Sequence, residues 1–203
     1  ILDSGGVVFG VGFNEEFKVV HSYTEVKEEL SKYRGSKYVE SEIGNTYKQA
    51  KDFLKQNRNV LFTGTPCQIS GLKSYLGKNY DNLFCLDNVC HGVPSPMVWD
   101  RYLDFRSKIA GSKPKNINFR LKDEGWNSYS ISFLFKNEKE YKEKSNKDLY
   151  MRAFLKDVCL RPSCYDCSFK GLNRESDITL ADYWGIQNIL PDIDSDKGVS
   201  LIF

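Results

Sequence analysis

The fold is decided by residues 59–87, which read NVLFTGTPCQISGLKSYLGKNYDNLFCLD. The apolar runs at the two ends have the length of buried strands, and the stretch between them has helical spacing. Thr65 is placed to cap this helix, and Pro66 suits its first turn, where a missing N–H costs nothing. A strand, a helix and a strand of this length predict a crossover unit whose two strands are parallel.

The residues before this unit indicate β structure followed by helices. Residues 7–13 and 17–21 flank a three-residue polar turn, which is typical of a short hairpin. Residues 24–33 have a polar helical pattern, and an amphipathic helix is expected to begin at Asn45 or Thr46.

The second half alternates like antiparallel strands rather than continuing the parallel pattern. We expect a helix from Ser95-Pro96 to Gly111 whose buried face includes Val98, Tyr102, Phe105 and Ile109. The other predicted elements are strands at 117–121, 129–135 and 177–181, a strand edge or loop at 136–148, a helix from 148 to about 158, and the start of a strand at 199–203.

Together these elements predict an α/β to α+β fold: a mixed sheet that contains the parallel unit of residues 59–87, flanking helices and an irregular cysteine-bearing segment. We expect residues 1–203 to form a single domain. Because the chain opens without Met and closes on a strand-like run, we interpret it as a fragment of a longer chain.

The composition excludes several classes of protein. The chain has 29 Lys and Arg against 27 Asp and Glu, a formal net charge of +2, which argues against a nucleic-acid-binding protein. No apolar run approaches the roughly 20 residues that a membrane span needs. We therefore expect a soluble, cytoplasmic protein.

Four of the six cysteines are predicted to converge. Cys164 and Cys167 form a Cys-x-x-Cys pair, whose thiolates can chelate a metal or cluster, or form a redox disulfide. Cys67 and Cys90 each follow one of the two parallel strands. Because the carboxyl ends of parallel strands meet at one edge of a sheet, where ligands bind, both loops open on the same side.

Four thiolates fit either an iron–sulfur cluster or a structural zinc ion. Structural zinc usually joins two Cys-x-x-Cys pairs in a small, weakly cored module, whereas two of these four ligands come singly from loops of a large core. This favours the cluster and keeps a non-catalytic module with a four-cysteine zinc site as the alternative. Cys85, in an apolar strand, and Cys159, at a helix end, are interpreted as packed thiols.

Glycines and hydroxyl residues are expected beside the same edge, in the segments 5–6, 35–38 and 63–65. Backbone amides at a helix N-terminus with a nearby lysine can bind phosphate, but none of these segments matches a known phosphate-binding pattern, so turn formation explains them as well. The two histidines have no triad spacing. Asp177 and Asp182 could be acid–base groups, although caps or turns suit them better.

Five ordered motifs resemble the coenzyme F420 hydrogenase/dehydrogenase beta-subunit family. They extend over most of the chain and occur in the family's order. They are GSKYV at 35–39, GTPCQ at 64–68, CHGVPSP at 90–96, RPSCYDCSFK at 161–170 and SDITLADYWG at 176–185.

The resemblance implies an oxidoreductase that passes electrons between a two-electron coenzyme, of deazaflavin or another type, and one-electron carriers such as a ferredoxin-like protein or domain. It further implies that an N-terminal ferredoxin-like domain found in many relatives is absent here. It implies a [4Fe-4S] cluster on Cys67, Cys90, Cys164 and Cys167, and FAD bound by Gly5, Gly6, Lys37, Tyr38, Thr63, Gly64 and Thr65.

Overall fold

A computed structural model describes residues 1–203 as two β-sheets with helices packed against them. The strands are β1 (Val7–Phe13), β2 (Val19–Thr24), β3 (Val60–Gly64), β4 (Leu83–Asn88), β5 (Pro114–Leu121), β6 (Ser130–Phe135), β7 (Glu140–Lys144), β8 (Ile178–Asp182) and β9 (Ser200–Ile202). The helices are α1 (Thr46–Lys55), α2 (Pro66–Leu76), α3 (Pro96–Ala110), α4 (Leu149–Leu155) and the single turn α5 (Pro162–Tyr165).

The larger sheet is mixed, with the strand order β2-β1-β3-β4-β8-β9. β1, β3, β4 and β8 are parallel, and Gly64 at the end of β3 lies opposite Asp87 near the end of β4. The outer strands β2 and β9 are antiparallel to their neighbours. The predicted mixed fold and its parallel β3-α2-β4 unit are therefore confirmed, and the carboxyl ends of four strands share one edge.

The prediction for residues 24–33 is wrong in part. Pairing with β1 extends β2 to Thr24, and only the residues Lys27–Tyr33 then form a helix, of the 3-10 type. The polar pattern of this short stretch fits a 3-10 helix as well as an α-helix, because the two differ in which backbone groups they hydrogen-bond.

The smaller sheet is antiparallel, with the order β5-β6-β7, and shares an aromatic-rich core with α3 and α4. The buried face of α3 matches the prediction in part. Tyr102 is buried as predicted, but Phe105 and Ile109 are exposed, and Trp99 is buried instead. The indole N–H of Trp99 donates to the backbone carbonyl of Phe17 at 2.9 Å, which satisfies its polar atom inside the core.

A second core lies between the larger sheet and the helices α1 and α2. Val7, Phe9, Val60 and Phe62 are fully buried there and pack with Ile69 and Leu72 of α2. The longest helix, α3, has 15 residues, and none of the helices combines the length and the apolar character that a membrane crossing requires.

Candidate functional site

A cavity of about 800 Å³ opens at the edge where the parallel strands end. Its lining includes Thr63 and Gly64 of β3, Asn88 of β4, Asp182 of β8 and Ser200 of β9. Half of its lining residues are apolar. Both the volume and this mixed lining are typical of small-molecule sites, which also favour this edge in sheets of this kind.

Two cysteines are carried by the loops that follow β3 and β4. Cys67 is exposed in the first turn of α2, and Cys90 follows β4 and is half-buried beside the cavity. Their strands are in parallel register, so the two loops leave the sheet side by side. This is the arrangement predicted from the order of the elements.

Hydrogen bonds join the loop after β4 and helix α2 to residues on either side of Cys164 and Cys167. The Arg161 amide donates to the Val93 carbonyl at 2.9 Å, and Pro94 forms a β-bridge with Leu160. On the other side, Ser70 of α2 donates to the Glu175 carboxylate at 3.1 Å. The Cys-x-x-Cys segment is thus held beside both loops.

Three of these thiols act electrostatically on the fourth, Cys90. Burial raises the pKa of Cys90 to about 11, the Gly92 amide opposes that rise, and the charges of Cys67, Cys164 and Cys167 add to it. Even so, no three His, Cys, Asp or Glu side chains converge on a point where they could hold a single metal ion. The four thiols therefore do not form a compact one-ion site.

The other two cysteines lie in different surroundings. Cys85 is 1% exposed within β4, and burial raises the pKa of its thiol to about 11. Cys159 is half-buried after α4, and burial raises its pKa as well. Neither thiol is among the charges that act on Cys90, and all six cysteines are free of disulfides.

Gly92 allows the loop after β4 to approach Leu160 closely. Its φ is +136°, and a Cβ at this position would lie 2.6 Å from a methyl carbon of Leu160. Any side chain here would strain the backbone and press the two segments apart.

The structure brings five of the seven predicted flavin-binding residues to the cavity. Thr63, Gly64 and Thr65 line it from the loop after β3, and Lys37 and Tyr38 line it from the opposite wall. The Tyr150 hydroxyl fixes this wall by donating to the Tyr38 carbonyl at 2.7 Å.

Gly5 and Gly6 do not lie with the other five, and their predicted position is corrected. Both precede β1, which runs parallel to β3, so they lie at the amino edge of the sheet, away from the cavity. A Cβ on Gly6 would lie 2.6 Å from the Asn59 carbonyl oxygen, and the Arg58 side chain donates to the Gly5 carbonyl at 2.9 Å. The sequence alone does not show at which edge of the sheet these glycines lie, because a glycine pair can precede or follow a strand.

The Lys37 ammonium group is fully engaged within the protein. It donates to the carbonyls of Tyr33, Arg34 and Gly35 at 3.2, 3.0 and 3.1 Å. An ammonium group has three N–H donors, so a contact with a cofactor phosphate would require Lys37 to release one of them. Burial lowers the pKa of Lys37 to about 8.

A closed ring of hydrogen bonds holds the loop Thr63-Gly64-Thr65 in place. The Thr65 amide donates to Gln68 Oε1 at 3.0 Å, and Gln68 Nε2 donates to Ser41 Oγ at 2.9 Å. Ser41 and His21 Nδ1 are 2.9 Å apart, and His21 Nε2 lies 3.1 Å from the Thr63 carbonyl oxygen. Because a carbonyl only accepts, Nε2 carries the proton and Ser41 donates to Nδ1.

The acidic candidates have structural partners. Asp177 accepts a hydrogen bond from the Cys85 amide at 2.6 Å, which ties the start of β8 to β4. Asp182 lines the cavity and forms an ion pair with Arg120 of β5. His91, beside Cys90, pairs with Asp157 at 2.7 Å.

Several cavity residues were not predicted from the sequence. Arg120 and Tyr129 come from the smaller antiparallel sheet, and Trp184 follows β8. The sequence feature that could have indicated Arg120 as a cavity residue is its charge between the apolar Phe119 and Leu121 of a predicted strand. His21, Ser41 and Gln68 carried no recognisable spacing, because their ring closes only through tertiary contacts.

Residues 57–203 match the sequence family described as the carboxyl-terminal region of the coenzyme F420 hydrogenase/dehydrogenase beta subunit. No curated protein matches the chain significantly. Among solved structures, a chain of the xenon-derivatised F420-reducing [NiFe] hydrogenase complex from Methanosarcina barkeri is 16% identical, with a TM-score of 0.49 over 90% of this chain. The aligned region spans 60% of the length of that hydrogenase chain.

Proposed function

Because the chain belongs to the coenzyme F420 hydrogenase/dehydrogenase beta-subunit family, which relates it to redox proteins, we propose that it is a flavin- and iron–sulfur-dependent oxidoreductase module. It would pass electrons between a reduced two-electron coenzyme and one-electron carriers. The observation that carries this proposal is that two cysteine-bearing loops and a ligand-sized cavity share one sheet edge, with Cys90 lining the cavity.

The donor set supports a [4Fe-4S] cluster on Cys67, Cys90, Cys164 and Cys167 over a zinc ion. Four sulfur atoms around one zinc ion, each at about 2.3 Å, would lie only about 3.8 Å apart. No three potential ligands converge on such a point here. A cluster bridges a wider set of thiolates, which suits thiols carried by separate loops.

The cavity supports FAD. Its volume and mixed lining suit a ligand with a broad apolar ring and polar groups. When bound, a flavin supplies two-electron exchange with an organic coenzyme and one-electron exchange with a cluster. The hydrogen-bond ring that includes His21 holds the loop after β3 in place for the flavin, and Tyr150 fixes the backbone of Tyr38.

The exposure of Cys67 suggests where a partner would exchange electrons. This residue lies at the surface, whereas the other three proposed ligands are half-buried. A one-electron carrier, such as a ferredoxin-like protein or domain, could approach a cluster from the Cys67 side while the coenzyme enters the cavity. The coenzyme in this proposal is a deazaflavin or another two-electron carrier.

Anaerobic purification tests the proposal. We expect about four iron and four sulfide per chain, as a [4Fe-4S] cluster contains, together with a flavin absorption spectrum. One zinc per chain without colour would support the alternative, a non-catalytic module with a structural four-cysteine site, and would overturn the redox proposal.

A pair of matched variants tests the ligand set. Cys164→Ser should lose most of the bound iron, because serine replaces one proposed thiolate ligand. Cys159→Ser is the control, since that thiol lies in the same region but outside the group of four. Iron and sulfide are measured in both folded proteins. Equal iron content in the two variants would contradict the assignment.

A further inference from the structure

The smaller sheet places an arginine in the cavity wall whose hydrogen-bonding capacity is largely unused. Arg120 of β5 lines the cavity, and its side chain is 11% exposed. Its Nη1 donates to Asp182. Its Nε and Nη2 are buried and have no hydrogen-bond partner.

Buried donors without acceptors are rare in folded proteins, because each has lost its hydrogen bonds to water without gaining a replacement. Two on one side chain, at the wall of a cavity, indicate that their acceptors belong to a ligand. The rings of Tyr129 and Trp184 lie 4.9 and 6.0 Å from the Arg120 Cζ. An aromatic face attracts the cation, but it offers no lone pair for these N–H groups.

The two unpaired nitrogens define the kind of acceptor. Nε and Nη2 lie on one edge of the planar guanidinium, where their N–H bonds form a fork that matches two oxygens of a carboxylate or phosphate. Asp182 accepts a hydrogen bond from the third nitrogen, Nη1, and so fixes the orientation of the guanidinium group.

The local backbone is irregular where Arg120 emerges. The pairing of β5 with β6 shifts register between Asn118 and Leu121, and the Arg120 amide donates to the Asn118 side chain at 2.9 Å. Such bulges turn a side chain away from its regular direction and are frequent next to functional sites. Lys37, the other cation in the lining, has all three donors engaged.

We propose that the Nε/Nη2 edge of Arg120 binds an oxyanionic group of a ligand held in this cavity. The inference rests on the proposed function and deepens it by naming the ligand chemistry of one wall. The oxyanion could belong to the phosphates of FAD or to a carboxylate or phosphate of the second substrate, and the two sources are separable by experiment.

The direct test follows the Arg120 Nε–H resonance by NMR in the wild-type protein, which avoids any loss of folding in a variant. FAD, riboflavin, inorganic phosphate and malonate are added in turn. A shift with FAD but not with riboflavin assigns the edge to the cofactor phosphates. A shift with malonate or phosphate in the FAD-loaded protein assigns it to the second ligand.

Affinity measurements provide the second test. Arg120→Lys keeps the charge but loses the fork, so the affinity for whichever anion shifts the resonance should fall about 10- to 100-fold. Arg58→Lys is the control, since Arg58 pairs with Glu25 at the opposite edge of the sheet.

Bound FAD together with an Arg120 resonance that none of the four probes shifts would overturn this inference and leave the flavin proposal intact. Failure of FAD to bind, with a resonance that still responds to malonate or phosphate, would overturn the flavin assignment and support the anion site.

Discussion

At the scale of single residues, burial decides the chemistry of His21. The imidazole is 6% exposed, stacks on Phe62 at a centroid distance of 5.5 Å and is bonded through both nitrogens. Burial lowers its pKa from 6.5 to about 4, although the bond to the Thr63 carbonyl favours the charged form. His21 is therefore neutral at physiological pH and acts by positioning the loop above it.

This low pKa predicts how the stability of the protein depends on pH. The unfolded chain accepts a proton near pH 6.5, but folded His21 does so only near pH 4, so the free energy of unfolding should fall as the pH drops through this range. The loss is on the order of 3 kcal/mol at pH 4. Urea denaturation at several pH values measures it.

His21→Gln isolates this contribution, because the glutamine amide can still donate a hydrogen bond but does not titrate. The variant should lose less stability than the wild type between pH 6.5 and 4. Parallel stability curves for the two proteins would rule out His21 as the cause.

At the scale of elements, a buried polar network joins α3, β7 and α4. Asp148 caps α4 by accepting from the Met151 amide at 2.9 Å, and it also accepts from Tyr102 and from Tyr141, the latter at 2.9 Å. Arg106 lies 3.3 Å from the same carboxylate and supplies the counter-charge.

Asp148→Asn should therefore destabilise the protein strongly. The amide cannot neutralise buried Arg106 and replaces one accepting oxygen by a donor, so the free energy of unfolding should fall by about 3 kcal/mol. Tyr141→Phe removes two hydrogen bonds, the one donated to Asp148 and the one accepted from Arg106, but it leaves the Asp148–Arg106 charge pair in place, so it should cost less, about 1–2 kcal/mol. Chemical denaturation compares the two variants, and equal losses would refute the central role of Asp148.

Elements with local signals were predictable from the sequence. The bounds of α2 match the prediction because Thr65, Pro66 and Gly77 lie at the ends of the helical stretch itself and fix where it begins and stops. The buried face of α3 was predicted for Tyr102 but not for Phe105 and Ile109, because α4 and the smaller sheet determine which side is covered, and their positions depend on residues distant in sequence.

At the scale of the whole molecule, the two sheets meet at the cavity. The Arg120–Asp182 pair joins β5 of the smaller sheet to β8 of the larger one. The side-by-side loops that carry Cys67 and Cys90 could be predicted because parallel strands share an edge. The wall made by Arg120 and Tyr129 could not, because no local pattern reveals how one sheet packs on another.

Hydrogen exchange should reveal uneven stability across the molecule. Amides of β1 and β3, next to the fully buried Val7, Val60 and Phe62, should exchange slowest. Residues 166–177 are mostly exposed and form no regular element, so they should exchange fast. If our cluster proposal holds, reconstitution with iron and sulfide should slow exchange at 164–177 but not at 189–196. Equal protection changes in the two segments would contradict it.

The contact between Gly92 and Leu160 has a consequence for how the sequence can vary. Backbone conformation and lack of space both exclude a side chain at position 92. A smaller residue at position 160 would relieve the crowding but not the positive φ, so no single compensating change restores the geometry. We therefore expect homologues that keep this loop to keep glycine at position 92, and random mutagenesis with selection for metal content to recover no substitution there.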